Sequence, residues 1–165
     1  MIILKKVIIL LILALLLAGC DKYEPNAYGN SKITGSEVAA LNLAINDEYK
    51  ARAVYEKVLE DFGEIKPFKD IIKAENNHIK ALEKLFKEYD LEILEDNWSA
   101  KVTSYNSIKE ACEAGRNAEI ENVELYDMLF TMVEKKNIIT AFENLQSASR
   151  SNHLPAFETC LAGYQ

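Results

Sequence analysis

The segment KAENNHIKAL, residues 73–82, has the apolar periodicity of a helix but carries an acid and an imidazole on its apolar side. Glu75 and His78 are three residues apart, so a helix directs both side chains towards one point. The apolar residues that flank this pair at helical spacing are Ile71, Ile72, Leu82 and Leu85. Because a buried carboxylate without a partner is costly, the segment predicts a bundle whose other helices supply compensating groups.

Capping and breaking signals divide the rest of the sequence into four helices. Thr34 and Glu37 have the spacing of a capping box, and Ser107 and Glu110 repeat it. The predicted helices span about residues 34–62, 67–89, 107–132 and 137–165. Pro155 interrupts the last of them, because proline removes a backbone donor and kinks a helix. The sequence shows no strand alternation and therefore predicts an all-α fold.

The link between the second and third predicted helices, residues 90–106, is much longer than the other two links. The two short links predict antiparallel hairpins. At roughly 3.3 Å per residue, the long link can run the length of a helix and join the two hairpins. A long middle crossover is the connection of ferritin-type bundles. The predicted fold is therefore an all-α, ferritin-like four-helix bundle, with Trp98 of the crossover on its outside.

Each predicted helix carries polar residues near the middle of its apolar face. On the third helix, the predicted inward face consists of Ala111, Ala114, Ala118, Glu121, Leu125 and Met128. The charged residues and histidines that the four faces bring towards the bundle centre are Glu48, Arg52, Glu75, His78, Glu121, Glu124, Arg150 and His153. Several carboxylates placed together repel one another, so this cluster needs protons, arginines or metal ions.

Metal ions suit the residue types of the cluster, since carboxylates and imidazoles bind iron, manganese and zinc. The expected ligands of one or two divalent ions, with iron favoured, are Glu48, Glu75, His78, Glu121, Glu124 and His153. Within each antiparallel hairpin, Glu48 lies level with His78, and Glu121 lies level with His153. We expect Glu121 to bridge two ions and Glu124 to join His153 in a weaker second site.

The same residues allow a metal-free interpretation. Arg52 and Arg150 could pair with the buried carboxylates in an ionic network that fixes the register of the helices. The protein would then be a non-catalytic bundle of the cell envelope with a structural or interaction role. Metal content of the purified protein separates this hypothesis from a metal-dependent oxidoreductase.

Three of these segments resemble motifs of the rubrerythrins, which belong to the ferritin-like superfamily. EYKARAVY at residues 48–55 resembles their first-helix motif, and AENNH at residues 74–78 resembles their first Glu-x-x-His. EIENVELYDML at residues 119–129 resembles the Glu-x-x-Glu of their third helix. The resemblance implies oxidation chemistry on oxygen, peroxide or ferrous iron. It also implies that Tyr55 is a redox or hydrogen-bonding group beside the metal.

The fourth helix departs from the rubrerythrin pattern. Rubrerythrins have a second Glu-x-x-His there, whereas this chain has Arg150 three residues before His153. ENLQSASRSNHLPAF, residues 143–157, is similar to a branch of exported ferritin-like proteins of unknown function, and the resemblance to that branch is closer. The missing glutamate predicts an asymmetric centre rather than a symmetric di-iron one.

Two of the three cysteines are placed to pair with each other. Cys112 and Cys160 are equally far from residue 136, which lies inside the predicted turn of the second hairpin. They should therefore lie level, and a disulfide between them would stabilise the fold by roughly 4 kcal/mol in the chain-entropy model. The alternative is two separate buried thiols.

The first 19 residues have the layout of a secretory signal, with Lys5 and Lys6 before an apolar run. The run ends in LLAGC, residues 16–20, which resembles the lipobox of bacterial lipoproteins. We expect residues 1–19 to be a signal peptide, 20–33 a tether with lipidated Cys20, and 34–165 the bundle. An uncleaved anchor helix is the alternative. Both place the bundle at a membrane in the cell envelope, outside the cytoplasm.

The charge balance argues against nucleic acid as a partner. The chain has a formal charge of −7, and removing residues 1–19 takes away two lysines and no acids, which gives −7 − 2 = −9. Such an acidic surface repels phosphate backbones. The expected partners are the membrane and metal ions, and a homodimer is left open.

Overall fold

The computed structural model describes residues 32–164, and these residues form helices without any strand. The helices are α1 (Gly35–Phe62), α2 (Phe68–Glu88), α3 (Ile108–Leu129), α4 (Lys136–Ala148) and α5 (Leu154–Ala162). The π-helical turn Ser149–His153 joins α4 to α5, so that these two helices form the fourth helical rod. The predicted all-α four-helix bundle is confirmed.

The helix ends form where the capping signals predict them. Thr34 caps α1: its Oγ1 accepts a hydrogen bond from the Glu37 amide at 3.2 Å, and its amide donates to Glu37 Oε2 at 2.9 Å. The other carboxylate oxygen of Glu37, Oε1, accepts from the amides of Glu134 and Lys135, which fixes the loop before α4 against the start of α1. Gly63 ends α1 with a φ of 80°, a conformation that glycine adopts without strain.

The crossover between α2 and α3 runs along the outside of α1. Trp98 is half-buried against the core, and its Nε1 donates a hydrogen bond to Asn46 Oδ1 on α1 at 3.0 Å. The predicted position of Trp98 on the outside of the bundle is therefore confirmed.

The apolar core consists of two clusters with a polar layer between them. The first cluster lies towards the start of α1 and includes Leu41, Ile45, Leu82, Phe86, Tyr126 and Phe142. The second lies towards the end of α1 and includes Tyr55, Phe68, Ile71, Cys112 and Phe157. On α2, α3 and the fourth rod, the buried charged or imidazole residues fall between the two clusters; on α1, Glu48 lies where the clusters meet, whereas Glu37 is buried at the helix start. The fold thus surrounds a polar layer with apolar packing on both sides.

Cys112 and Cys160 form a disulfide at the second cluster, as the sequence predicts, with their Cα atoms 6.3 Å apart. One turn further along α3, the ring of Phe157 packs directly over Gly115, where a Cβ atom would clash with it. The glycine and the disulfide together hold α5 close against α3. This contact positions the turn before α5, which carries His153.

The π-helical turn determines which side chains of the fourth rod face inward. The Leu154 amide donates to the Ser149 carbonyl, five residues earlier, and Pro155 follows within the first turn of α5. The interruption predicted at Pro155 is therefore present as a π turn. Each hydrogen bond of a π turn spans one more residue than in an α-helix, which rotates the following side chains about the helix axis. As a result, Ser149 rather than Arg150 lies on the buried side with His153.

No helix within residues 32–164 is both long and apolar enough to cross a membrane. The predicted signal peptide at residues 1–19, the lipid on Cys20 and nearly all of the tether lie outside the described residues.

Candidate metal centre

Five buried polar residues meet in the layer between the two apolar clusters. Each is at most 8% exposed, and they are Glu48 of α1, Glu75 and His78 of α2, Glu119 of α3, and His153 of the π turn. All four helical rods therefore contribute to the layer.

The first half of the layer joins α1 to α2. His78 Nδ1 lies 3.1 Å from Glu48 Oε2 and 3.3 Å from Glu75 Oε2. One ligand atom from each of these three residues lies within 4.8 Å of the others, which is a separation that one metal ion can span.

The second half joins α2 to α3 and the π turn. His153 Nδ1 lies 3.1 Å from Glu75 Oε1 and 3.3 Å from Glu119 Oε2, and one ligand atom from each of these three residues again lies within 4.8 Å of the others. Glu75 therefore belongs to both halves and offers one carboxylate oxygen to each. The rings of His78 and His153 are stacked, with centroids 5.6 Å apart.

Two buried tyrosines hold the outer carboxylates. Tyr126 of α3 donates its hydroxyl to Glu48 Oε1 at 2.7 Å, and Tyr55 of α1 donates to Glu119 Oε1 at 2.6 Å. Each tyrosine is seven residues after a glutamate of its own helix and bonds the glutamate of the other helix. Tyr55 thus lies beside the cluster, as the resemblance implies, and the structure shows it as a hydrogen-bond donor.

Protons and hydrogen bonds balance the charges of this layer. Burial alone would lower the pKa of both histidines, but the close glutamates outweigh it and raise the pKa of His78 to about 10 and that of His153 to about 9. Burial, reinforced by the charge of Glu75, raises the pKa of Glu48 to about 7. Burial opposes ionisation of Glu75 as well, but the imidazoles of His153 and His78, each within 3.3 Å of one of its oxygens, lower its pKa.

The prediction that Glu121 and Glu124 face the cluster is wrong, since both are exposed. The Glu121 side chain is 69% exposed and lies 3.9 Å from Lys50. The buried face of α3 is Ala111, Cys112, Gly115, Glu119, Asn122, Tyr126 and Leu129, one residue later than predicted at almost every turn. Alanines on both sides of α3 make its apolar face hard to recognise. The predicted disulfide indicates the correct face, because Cys112 has to point inward and Glu119 follows it by two helical turns.

The arginines do not lie in the cluster either. Arg52 turns towards the crossover, where its guanidinium hydrogen-bonds Asp96 and lies over the ring of Tyr49. Arg150 is 56% exposed and lies 3.8 Å from Asp127. The π turn explains the second case, because it rotates Arg150 out of the face that carries His153. The predicted network of buried guanidiniums and carboxylates is therefore absent from the described residues.

The donor set fits a divalent transition metal. His153 Nδ1 is buried and, among the described residues, makes no hydrogen bond of acceptable geometry, although two carboxylates lie within 3.3 Å. A metal ion between these groups would occupy both the imidazole nitrogen and the carboxylate oxygens. Mixed carboxylate and imidazole ligands suit iron, manganese and zinc.

The fold and this layer define the class: an all-α bundle with a buried carboxylate–histidine cluster able to hold metal. Residues 37–163 match the family described as "Uncharacterized protein domain (DUF2202)", and the chain belongs to this family. The fold is similar to the crystal structure of hypothetical protein MJ0754 from Methanococcus jannaschii DSM 2661. That comparison has a TM-score of 0.72 and 24% identity, and it covers 80% of this chain and 83% of the other. A search of curated proteins gives no match.

Proposed function

We propose that this protein is a ferritin-like metal-binding protein that holds one or two divalent ions, with iron favoured. The shared carboxylate of Glu75 supports the proposal most directly, because each of its oxygens lies beside a different histidine and a different outer glutamate. A structural ion pair would need one histidine beside this carboxylate, whereas Glu75 has a histidine beside each of its two oxygens. Glutamates and histidines that converge from all four rods, with a Glu-x-x-His on one of them, are typical of two-ion carboxylate bundles.

Glu48 and His78 would hold the first ion, Glu119 and His153 the second, and Glu75 would contact both. Tyr55 and Tyr126 orient the outer glutamates through their hydroxyl hydrogen bonds, so that the remaining oxygens face inward. The two apolar clusters cover the layer from both ends of the bundle. Bound iron would supply oxidation chemistry on ferrous iron, peroxide or oxygen.

A metal-free structural bundle is the second candidate. It is favoured by the raised pKa values of His78 and His153, because two imidazolium groups would neutralise part of the acidic cluster. In that case the layer would fix the register of the helices and carry no chemistry.

Metal content and thermal stability separate the two candidates. We expect protein purified without chelators, or reconstituted with ferrous iron or manganese, to retain one or two ions after desalting and to melt at a higher temperature. An ion that binds the folded state alone stabilises it by mass action. Absence of retained metal together with an unchanged melting temperature would establish the structural candidate instead.

We also propose that the protein is a lipoprotein of the cell envelope, held at the membrane through Cys20. The apolar run followed by LLAGC supports this proposal. Cys20→Ser should release the protein into the soluble fraction, because lipid chains provide the anchoring. A variant that stays in the membrane with residues 1–19 attached would support the uncleaved anchor helix.

A further inference from the structure

A small cavity lies between α1 and α3, next to the candidate metal centre. Its volume is about 30 Å³, which is room for a water molecule or a bare ion but not for an organic molecule. Glu75 and Glu119 of the centre line it, and so do Asp47, Asn122 and Lys50. The cavity therefore adjoins the centre through two of the carboxylates that we assign to metal.

Asn122 lines this cavity and carries an unpaired acceptor. The residue is only 6% exposed, and its Nδ2 donates to Asp47 Oδ2 at 2.8 Å and to Glu48 Oε1 at 3.5 Å. Its Oδ1 is buried without a hydrogen-bond partner among the described residues. A buried amide oxygen without a partner is costly, which indicates that something in the cavity contacts it.

The groups around the cavity favour a cation over a neutral occupant. Three acidic residues, Asp47, Glu75 and Glu119, line it together with Asn122. Carboxylate and amide oxygens are ligands that hard divalent cations accept. Lys50 lies on the solvent side with its side chain 43% exposed, so the cavity lies between the surface and the centre.

A second opening is less suited to an ion. A groove of about 610 Å³ reaches His153 between the start of α2 and the fourth rod. Its walls are largely apolar and include Pro67, Ile71, Ala74, Ala148 and Ala156. Its one carboxylate, Asp70, already lies within 4 Å of Lys66 and Lys73, so the groove offers a cation less negative charge than the small cavity does.

We propose that the cavity is the entrance through which a divalent cation reaches the centre, with Asp47 and Asn122 Oδ1 as its transient ligands. The cation passes from these two residues to Glu119 and Glu75, which line both the cavity and the centre. This inference rests on the proposed metal-binding function. It assigns to Asp47 and Asn122 a role in the rate of loading rather than in the final ligand set.

Cobalt(II) loading followed by stopped-flow absorbance tests the proposal. Asp47→Asn keeps the volume and the contact with Asn122 but removes the charge. It should slow loading by about tenfold or more, because a charge in a cleft concentrates counter-ions and raises on-rates. The final absorbance and the number of bound ions should stay those of the wild type. Lys50→Gln removes the cation at the rim and should accelerate loading.

Glu121→Gln is the matched control, because it removes an acid beside Lys50 that does not line the cavity, and it should load at the wild-type rate. Melting of the metal-free variants checks that each is folded. If the wild type binds cobalt and Asp47→Asn loads at the same rate, the proposed entrance is overturned and the metal-binding function stands. Loss of a stoichiometric ion in Asp47→Asn would make Asp47 a permanent ligand and would also overturn it. Failure of the wild type to bind cobalt would instead overturn the metal-binding function.

Discussion

The two halves of the candidate centre have the same residue types but are built on different backbones. Glu48, Glu75 and His78 lie on the uninterrupted helices α1 and α2, whereas His153 lies on a π turn opposite Glu119. In the first half, the Glu-x-x-His spacing brings both of its residues inward. In the second, the π turn brings His153 inward and leaves Arg150 outside. A spacing of three residues therefore brings both side chains to the centre only where the helix is regular.

Removing the carboxylate that both halves share should have the largest effect. Glu75→Gln replaces an ionised oxygen pair with a neutral amide of the same shape. Loss of a direct ligand should weaken metal binding by more than about 100-fold, since supporting residues alone are worth 10- to 100-fold. Isothermal titration with manganese measures the change. A variant that still binds with near-native affinity would mean that Glu75 is not a shared ligand.

A pair of variants on α3 tests which face of this helix belongs to the centre. Glu119→Gln removes a buried carboxylate beside His153, and Glu121→Gln removes an exposed one on the next face. We expect Glu119→Gln to lose the second ion and to keep the first, while Glu121→Gln binds as the wild type does. Metal counts by elemental analysis compare them. Loss of an ion in Glu121→Gln but not in Glu119→Gln would mean that α3 turns Glu121 inward, as the sequence predicts.

The pH dependence of stability sharpens the comparison between protonated and metal-loaded centres. The folded pKa values of His78, about 10, and His153, about 9, lie above the ordinary value of 6.5. Their contribution is therefore complete below pH 6.5 and is lost as the pH rises through 9 to 10. The raised pKa of Glu48, about 7, acts in the same direction, since stability falls as the pH rises from 4.5 through 7.

Metal-free protein should accordingly melt at a lower temperature at pH 10 than at pH 6, by roughly 4 °C for each kcal/mol lost. Metal-saturated protein is the control. Its imidazoles are already neutral and bound to metal, so the fall between these pH values should be smaller. Equal slopes with and without metal would show that the metal does not bind at the histidines.

The smallest effect is expected from restoring the glutamate that the rubrerythrin pattern has. Arg150→Glu should change the metal affinity by less than about fivefold, because an exposed charge contributes under about 1 kcal/mol. The π turn keeps this position outside whatever its side chain. Ser149→Glu would be the variant that places a carboxylate inward, since Ser149 is buried on the side of His153. Tight binding of an additional ion by Arg150→Glu would contradict this assignment.

The sequence predicts the fold better than it predicts the second half of the centre. Helix α2 alternates apolar and charged residues sharply, so spacing alone predicts that Glu75 and His78 face inward. Helix α3 has small residues around most of its first half, and a shift of one residue moves the inward face from Glu119 to Glu121. The π turn has no simple sequence signal beyond Pro155, and without it Arg150 and His153 would share a face. Both differences are rotations of a helix about its axis, and the residue types of the centre, glutamate and histidine, are those that the sequence predicts.

Anomalous diffraction from crystals loaded with manganese tests the central claim most directly. We predict one peak among Glu48, Glu75 and His78, and a second, of equal or lower occupancy, among Glu75, Glu119 and His153. Peaks confined to exposed acids such as Glu121, with His78 and His153 still paired to carboxylates and no density between them, would contradict the account and leave the layer as a structural one.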